Sequence, residues 1–177
     1  MLMEGKGVSS PLFMEAALHL KKASDEGVPQ AHHCLALLYE YGRGVAQDFT
    51  KATELYQRAI EESQSESMYN LALMHAYGRG VPQDFSLARS LLEKAAALDH
   101  APAIYYIGVF KFYGYGCEVN YQQALNWFSR ALSLGDDRVF TQAQAAAEEI
   151  RKLLEQADEH IDRVVNSYHE RNEYPLD

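Results

Sequence analysis

The 177-residue sequence predicts an all-α solenoid of stacked antiparallel helix pairs, and three observations carry that reading. A turn, Tyr41-Gly42-Arg43-Gly44-Val45, returns as Tyr77-Gly78-Arg79-Gly80-Val81 and again as Tyr113-Gly114-Tyr115-Gly116-Cys117, each step being 36 residues. A fixed period of that size marks units that cannot bury their apolar faces alone and therefore stack on their neighbours. Between the turns, apolar residues recur at helical spacing, and no segment alternates with period two over the length of a strand.

The elements follow in order. Glu4-Gly5-Lys6-Gly7-Val8 is another copy of the turn, 37 residues before Gly42, without the helix that precedes the turn elsewhere. Residues 13–26 read as a second helix, with Ala16-Ala17 and Lys22-Ala23 in its seam. The chain thus starts inside a repeat, either as an unusual capping unit from Met1 or as a piece of a longer array; repeat logic favours the second. The partial unit spans 1–27, and three full units follow over about 28–63, 64–99 and 100–135.

The first helix of each full unit is expected over 31–41, 67–77 and 103–113. Leu35 and Leu38, Leu71 and Met74, and Ile107 and Phe110 form its core side. Small residues at Ala36, Ala72 and Gly108 let a neighbouring helix approach closely. Gly42, Gly44, Gly78, Gly80, Gly114 and Gly116 are structural turn residues, since glycine takes left-handed backbone at low cost. Each second helix starts at an N-cap, Asp48, Asp84 or Asn120, whose side chain accepts a backbone N–H bond. Its seam pairs Ala52 with Ala59, Ala88 with Ala95 and Ala124 with Ala131, around Leu55-Tyr56, Leu91-Leu92 and Trp127-Phe128. Gly27 and Gly135 close two units; Ser63 and Asp99 stand in that place elsewhere, where they either loosen or re-aim the joint.

A fourth turn would fall at 149–153, where there is no glycine. Instead an apolar stripe runs through Val139, Ala143, Ala146, Ile150, Leu153, Ala157, Ile161, Val164 and Tyr168 in steps of three or four, with Glu148, Glu149, Arg151, Lys152, Glu155 and Glu159 opposite. That pattern predicts one long amphipathic helix, or two in line, over 136–171 as a C-terminal cap. Residues 172–177 read as a loose tail.

Composition narrows the function. A formal net charge of -9 repels phosphate backbones, so no nucleic-acid partner is expected. No apolar run approaches the ~20 residues of a spanning helix, so no membrane insertion is expected. The N-terminus lacks a secretory signal. With Cys34 and Cys117 alone, the expectation is an intracellular, reducing compartment, most simply the cytoplasm.

The pattern resembles the Sel-one-like repeat family, relatives of tetratricopeptide repeats with a longer turn. The resemblance rests on Leu35-Ala36, Tyr39, the turn 41–45, Gln47-Asp48, Lys51-Ala52, Tyr56 and Ala59, and on the turn 77–81, Pro82-Gln83-Asp84, Ala88 and Lys94-Ala95-Ala96. It covers roughly 4–135 and implies right-handed superhelical stacking and a non-catalytic scaffold or adaptor role in protein complexes. The third turn departs, with Tyr115 for Arg and Cys117 for Val. On the first helices a second stripe, His33-Leu37-Glu40, Tyr69-Leu73-Ala76 and Tyr105-Val109-Phe112, keeps to one face by its spacing of four then three. By resemblance to tetratricopeptide grooves this is the side that meets a peptide or protein partner. Tyr41, Tyr77 and Tyr113 are expected to pack over the turns.

No catalytic residue, metal site or cofactor is expected. Adjacent helical residues point about 100° apart, so His32-His33-Cys34 does not converge on an ion. Helices stack at ~8–10 Å, which places Cys34 and Cys117, two repeats apart, beyond the ~7 Å Cα limit of a disulfide. Secreted cysteine-rich relatives carry a penicillin-binding activity, but the paired-cysteine pattern is missing here, so the resemblance carries no enzyme activity over. The alternative is an enzyme or small-ligand protein using an inter-repeat pocket, with Tyr105, Tyr106, His33 and His75 as candidates. A subunit of a larger complex, contacted through the final helix, is a close variant of the scaffold reading.

Overall fold

The computed structural model describes residues 11–172, the side chains of 165–172 excepted. The copy of the turn at 4–8, the Tyr168 end of the final stripe and the expected tail beyond Asn172 lie outside that description. Among the described residues there are eight helices and no strand: α1 (Pro11–Asp25), α2 (Pro29–Tyr41), α3 (Phe49–Glu61), α4 (Ser65–Tyr77), α5 (Phe85–Ala96), α6 (Ala101–Tyr113), α7 (Tyr121–Ser133) and α8 (Phe140–Asn172). Each helix packs against the next, and the pairs α2/α3, α4/α5 and α6/α7 stack into an α-solenoid. First helices begin two residues earlier than the apolar spacing predicts. Pro29 and Pro102 explain this in α2 and α6, because proline suits the first helical turn, where its missing N–H would have no partner.

Side chains cap the second helices. Asp48 Oδ1 accepts the Lys51 N–H at 3.0 Å, Asp84 Oδ1 the Leu87 N–H at 2.9 Å, and Asn120 Oδ1 the Gln123 N–H at 2.8 Å. Asp84→Ala is expected to cost about 1 kcal/mol, read from urea unfolding, because it leaves an N-terminal N–H without its acceptor. The alanine seams Ala52/Ala59, Ala88/Ala95 and Ala124/Ala131 are fully buried. At Gly108, where the other units carry Ala36 and Ala72, an added Cβ would lie 2.7 Å from Phe128 Cε1. The Phe128 ring of α7 takes the space where that methyl would sit.

The two glycines of a turn do different work. The first closes the helix: Gly78 has φ +64°, and the N–H groups of Gly78 and Arg79 both bond to the Met74 carbonyl. The second lets the turn rest on the second helix of the preceding unit. A Cβ on Gly80 would sit 2.0 Å from Phe49 Cβ; on Gly44 it would strike the Phe13 backbone at 2.3 Å, and on Gly116 the Phe85 Cβ at 2.8 Å. Phe13, Phe49 and Phe85 are themselves 36 residues apart, so one contact is reproduced at each joint.

Side chains also hold the turns to their helices. The Gln47 and Gln83 amides donate to the Glu40 and Ala76 carbonyls, each at 2.8 Å, tying the loop back to its helix. The third turn has Val119 in that place and substitutes a Cys117 thiol contact to the Phe110 carbonyl at 3.6 Å.

Ser63 and Asp99 adopt φ of 58° and 53°, the left-handed conformation that Gly27 and Gly135 adopt at the other boundaries. The joints therefore keep their path and are not re-aimed. Arg130 Nη2 clasps Asp99 Oδ1 at 2.9 Å and the Ala96 carbonyl at 2.9 Å.

Residues 140–172 form one helix, not two. Its start packs on α7, with Ala143, Ala147 and Ile150 buried in the core and Val139 buried just ahead of the helix. Ala147 sits deeper than Ala146 in the expected stripe, and Leu153, Ile161 and Val164 are exposed. No described helix is long and apolar enough to cross a membrane.

Candidate binding face

The expected face is carried by α2, α4 and α6. His33 and Leu37 on α2, Tyr69 and Leu73 on α4, and Tyr105, Val109 and Phe112 on α6 are all half-buried. Five of them, Leu37, Tyr69, Tyr105, Val109 and Phe112, rest on the core with one side and leave the other open. Three tyrosines join them. Tyr41, Tyr77 and Tyr113 are 47%, 60% and 59% exposed, contrary to the expectation that they pack away over the turns. Each follows Leu37, Leu73 or Val109 by four residues, so the spacing that defined the stripe already pointed to them. One ring face of Tyr41 and of Tyr77 meets a turn arginine, Arg43 at 5.3 Å and Arg79 at 5.9 Å, while Tyr113 stacks on Tyr115 at 5.5 Å.

Tyr106 links the rows. Its ring meets Tyr69 at 5.6 Å and Tyr105 at 5.5 Å, both edge to face. Burial pushes the Tyr69 and Tyr77 phenols up from their ordinary range, and the neighbouring Tyr106 hydroxyl adds to this. Tyr105 is raised by burial and by Tyr113 and Tyr77. All three therefore stay neutral hydroxyls, able to donate and to accept, on otherwise apolar rings.

A cavity of about 300 Å³ opens where α6 meets α8. Tyr105, Val109, Phe112 and Tyr113 form one wall, Phe128 the floor, and Gln142, Ala145, Ala146 and Glu149 the wall from α8. The α8 residues were not expected here, because the missing turn glycine marked this helix as a cap. The 36-residue register nevertheless carries Val109 onto Ala145 and Tyr113 onto Glu149.

Glu40 departs from the expected face. It is 2% exposed and lies inside the joint between the first two full units. Tyr56 Oη donates to Glu40 Oε2 at 2.6 Å, and Arg79 Nη2 from the following turn lies 3.1 Å from Oε1 as an ion pair. The corresponding places in the next unit hold Ala76, Leu92 and Tyr115, so one joint is polar and the next apolar.

A second polar bridge crosses the units at the other edge. His100 caps α6 by accepting the Ala103 N–H on Nδ1 and turns Nε2 to Glu66 Oε2 at 3.0 Å. Arg138 binds Glu66 at 2.8 Å and Asp136 at 2.7 Å. Burial alone would raise the Glu66 carboxyl, but the bonds from Arg138 and His100 outweigh it and hold the group below its ordinary value of 4.5. Burial lowers His33 from 6.5, against the opposing pull of Glu66 and Glu40; its Nδ1 meets Ser67 Oγ at 2.8 Å.

Both shifts are depressions, so both groups contribute stability that is present at high pH and lost on acidification. The melting temperature is expected to fall first as the pH drops below about 6.5, through His33, and again below about 4.5, through Glu66. His33→Gln should remove the first step and leave the second in a pH series followed by circular dichroism.

His33 and His75, candidates for the small-ligand alternative, are not brought into a metal set: no described cluster of three His, Cys, Asp or Glu side chains could hold an ion. His75 Nδ1 is buried with no hydrogen-bond partner among the described residues. Cys34 and Cys117 are free thiols.

Stacked helix pairs, a two-glycine turn and a continuous row of first helices define the class: a helical repeat protein of the solenoid type. The chain belongs to the Sel1 repeat family, whose profile matches residues 1–28, 29–63, 65–100 and 101–136. It is similar in structure to a Sel1 repeat protein from Oxalobacter formigenes, with TM-score 0.71 and 28% identity over 77% of this chain and 54% of that one. It is also similar to a protective antigen of uropathogenic Escherichia coli displaying an SLR fold, with TM-score 0.66 and 25% identity over 77% of this chain and 33% of that one. A cysteine-rich protein B of Helicobacter pylori shares the fold, with TM-score 0.55 and 23% identity over 69% of this chain and 92% of that one. The chain thus spans about half the length of the first of these proteins and a third of the second. Among curated proteins none matches the sequence. Sel1 repeats generally serve as non-catalytic scaffolds that mediate protein–protein interactions.

Proposed function

We propose that this chain is an interaction scaffold whose α2/α4/α6 face forms a groove for an extended peptide or a loop of a folded partner. The supporting observation is the aromatic ladder. Rows led by His33, Tyr69 and Tyr105, and closed by the exposed Tyr41, Tyr77 and Tyr113, repeat at the period of the fold. Tyrosine suits such a surface, because it offers large contact area and a hydroxyl at little loss of side-chain freedom. Affinity capture from the native cell tests the reading. Tyr77→Glu/Tyr113→Glu changes only exposed rings and should keep the helical signal while losing the partner. Partners retained by this variant and by Tyr69→Glu/Tyr105→Glu alike would move the working surface to the outer layer or to α8.

The cavity between α6 and α8 contains Tyr105, a candidate of the small-ligand alternative, and is the site at which that alternative is tested. A metabolite that raises the melting temperature of the wild type but not of Tyr105→Leu would favour that alternative.

A further inference from the structure

We propose that the cavity at the α6–α8 corner is the specificity pocket of the groove and that it receives an arginine side chain of the partner segment. The proposal rests on the groove reading and names the chemistry of what lies there.

Three observations converge. The cavity has aromatic walls in Tyr105, Phe112 and Tyr113, whose ring faces attract a cation. Glu149 is the one charged side chain among the residues lining it. Its neighbour Glu148 takes both nearby cations, Arg151 and Lys152, each at 3.8 Å, and no described ion pair satisfies Glu149. The pocket therefore carries an exposed carboxylate with no ion-pair partner among the described residues, beside negative ring faces, in a chain whose net charge is already -9. At about 300 Å³ it lies at the small end of the roughly 300–1,000 Å³ of ligand sites, which suits one long side chain better than a whole cofactor.

The third observation comes from the repeat itself, which already seats guanidinium groups on the tyrosines of this row. Arg43 and Arg79 lie over the rings of Tyr41 and Tyr77, the equivalents of Tyr113. At the third turn the corresponding residue is Tyr115, so Tyr113 has no arginine of its own. Tyr115 stacks on one face of Tyr113 in the place of that arginine, so an incoming guanidinium would meet the ring from the side that lines the cavity. It would also use what an ammonium cannot: a flat face against the rings and paired N–H groups aimed at the Glu149 carboxylate, with the Gln142 carbonyl accepting another. Along the rest of the groove, the partner segment needs apolar side chains at Leu37 and Leu73, not further charge.

The test uses the full chain and two probes. In the first arm, N-acetyl-arginine amide is titrated into isotope-labelled protein and followed by NMR. The expected result is saturable shifts confined to α6 and the first turns of α8, weakened at least fivefold for N-acetyl-citrulline amide, which keeps the shape without the charge, and lost in Glu149→Gln. Absence of those shifts in the wild type, or equal shifts with citrulline, overturns the pocket. In the second arm, random dodecapeptides are selected against wild type and against Glu149→Gln/Tyr113→Leu, both changes being at exposed positions. Selected peptides with one required arginine, bound at least tenfold more weakly by the variant, support the proposal. Peptides that bind the face with an acidic, wholly apolar or lysine-only consensus overturn it and leave the groove standing. If no peptide is selected while the small probe still binds, the groove reading falls and the cation pocket stands alone. A second copy of this chain as occupant would show as concentration-dependent dimerisation abolished by Glu149→Gln, and would likewise overturn the assignment to a partner's arginine.

Discussion

Gly80→Val is expected to be the most damaging single substitution in the chain, lowering stability by about 2–5 kcal/mol. Two causes add. The residue sits at φ +71°, where a β-branched side chain costs roughly 1–2 kcal/mol or more. The new Cβ would also fall 2.0 Å from Phe49 Cβ. A Cβ cannot rotate away, so the turn and α3 must separate, at the roughly 1–3 kcal/mol of an overpacked core. Because neighbouring units supply most of each other's burial, prising apart this central joint should also uncouple the two sides. Gly135→Val is the control. Gly135 has φ +64° and nothing within 4 Å of its added Cβ, so it should lose only the backbone contribution. Equal melting temperatures for the two variants would show that the contact with Phe49 contributes nothing.

The second large effect is predicted at the polar joint. Arg79→Met leaves the Glu40 carboxylate buried with only the Tyr56 hydroxyl for a partner. Breaking one side of a buried pair costs roughly 3–5 kcal/mol, and the lower end applies here because the Arg79 side chain is 36% exposed and water reaches its guanidinium. The chain supplies its own apolar design for the same place. Glu40→Ala/Tyr56→Leu/Arg79→Tyr copies Ala76, Leu92 and Tyr115 from the next joint, and should fall within about 1 kcal/mol of wild type, since a buried pair replaced by packed apolar residues is often neutral. Urea unfolding of the wild type, Arg79→Met and the triple variant decides it. A triple variant as unstable as Arg79→Met would mean that the polar joint is needed for packing and not merely for satisfying its own charge.

Glu40 also shows where reading the sequence failed. A glutamate between Tyr39 and Tyr41 on an amphipathic helix looks solvated, and its partners lie 16 and 39 positions away, beyond any local pattern. The register contained the warning: positions 40, 76 and 112 hold Glu, Ala and Phe, and a place with no common polarity is governed by its neighbours across the joint. The turns, caps and alanine seams were legible for the opposite reason. Each recurs at 36 residues with the same chemistry, so every unit corroborates the others. The tyrosines after Leu37, Leu73 and Val109 were left out of the stripe although its spacing of four reaches them, because an aromatic ring beside a glycine turn reads as packing. The α8 wall of the cavity was hidden by the loss of the turn motif, although the period itself continues through Ala145 and Glu149.

The chain has one tryptophan, Trp127, half-buried on α7 with the Arg130 guanidinium 5.6 Å from its ring. Intrinsic fluorescence excited in the indole band is therefore a local gauge. It registers the surroundings of α7 in the last full unit, while far-ultraviolet circular dichroism averages over every helix. In a solenoid whose units are held by unlike joints, one polar and one apolar, the two optical traces need not coincide. A gap between them in denaturant would give the order in which the units come undone, with no label attached and no residue removed.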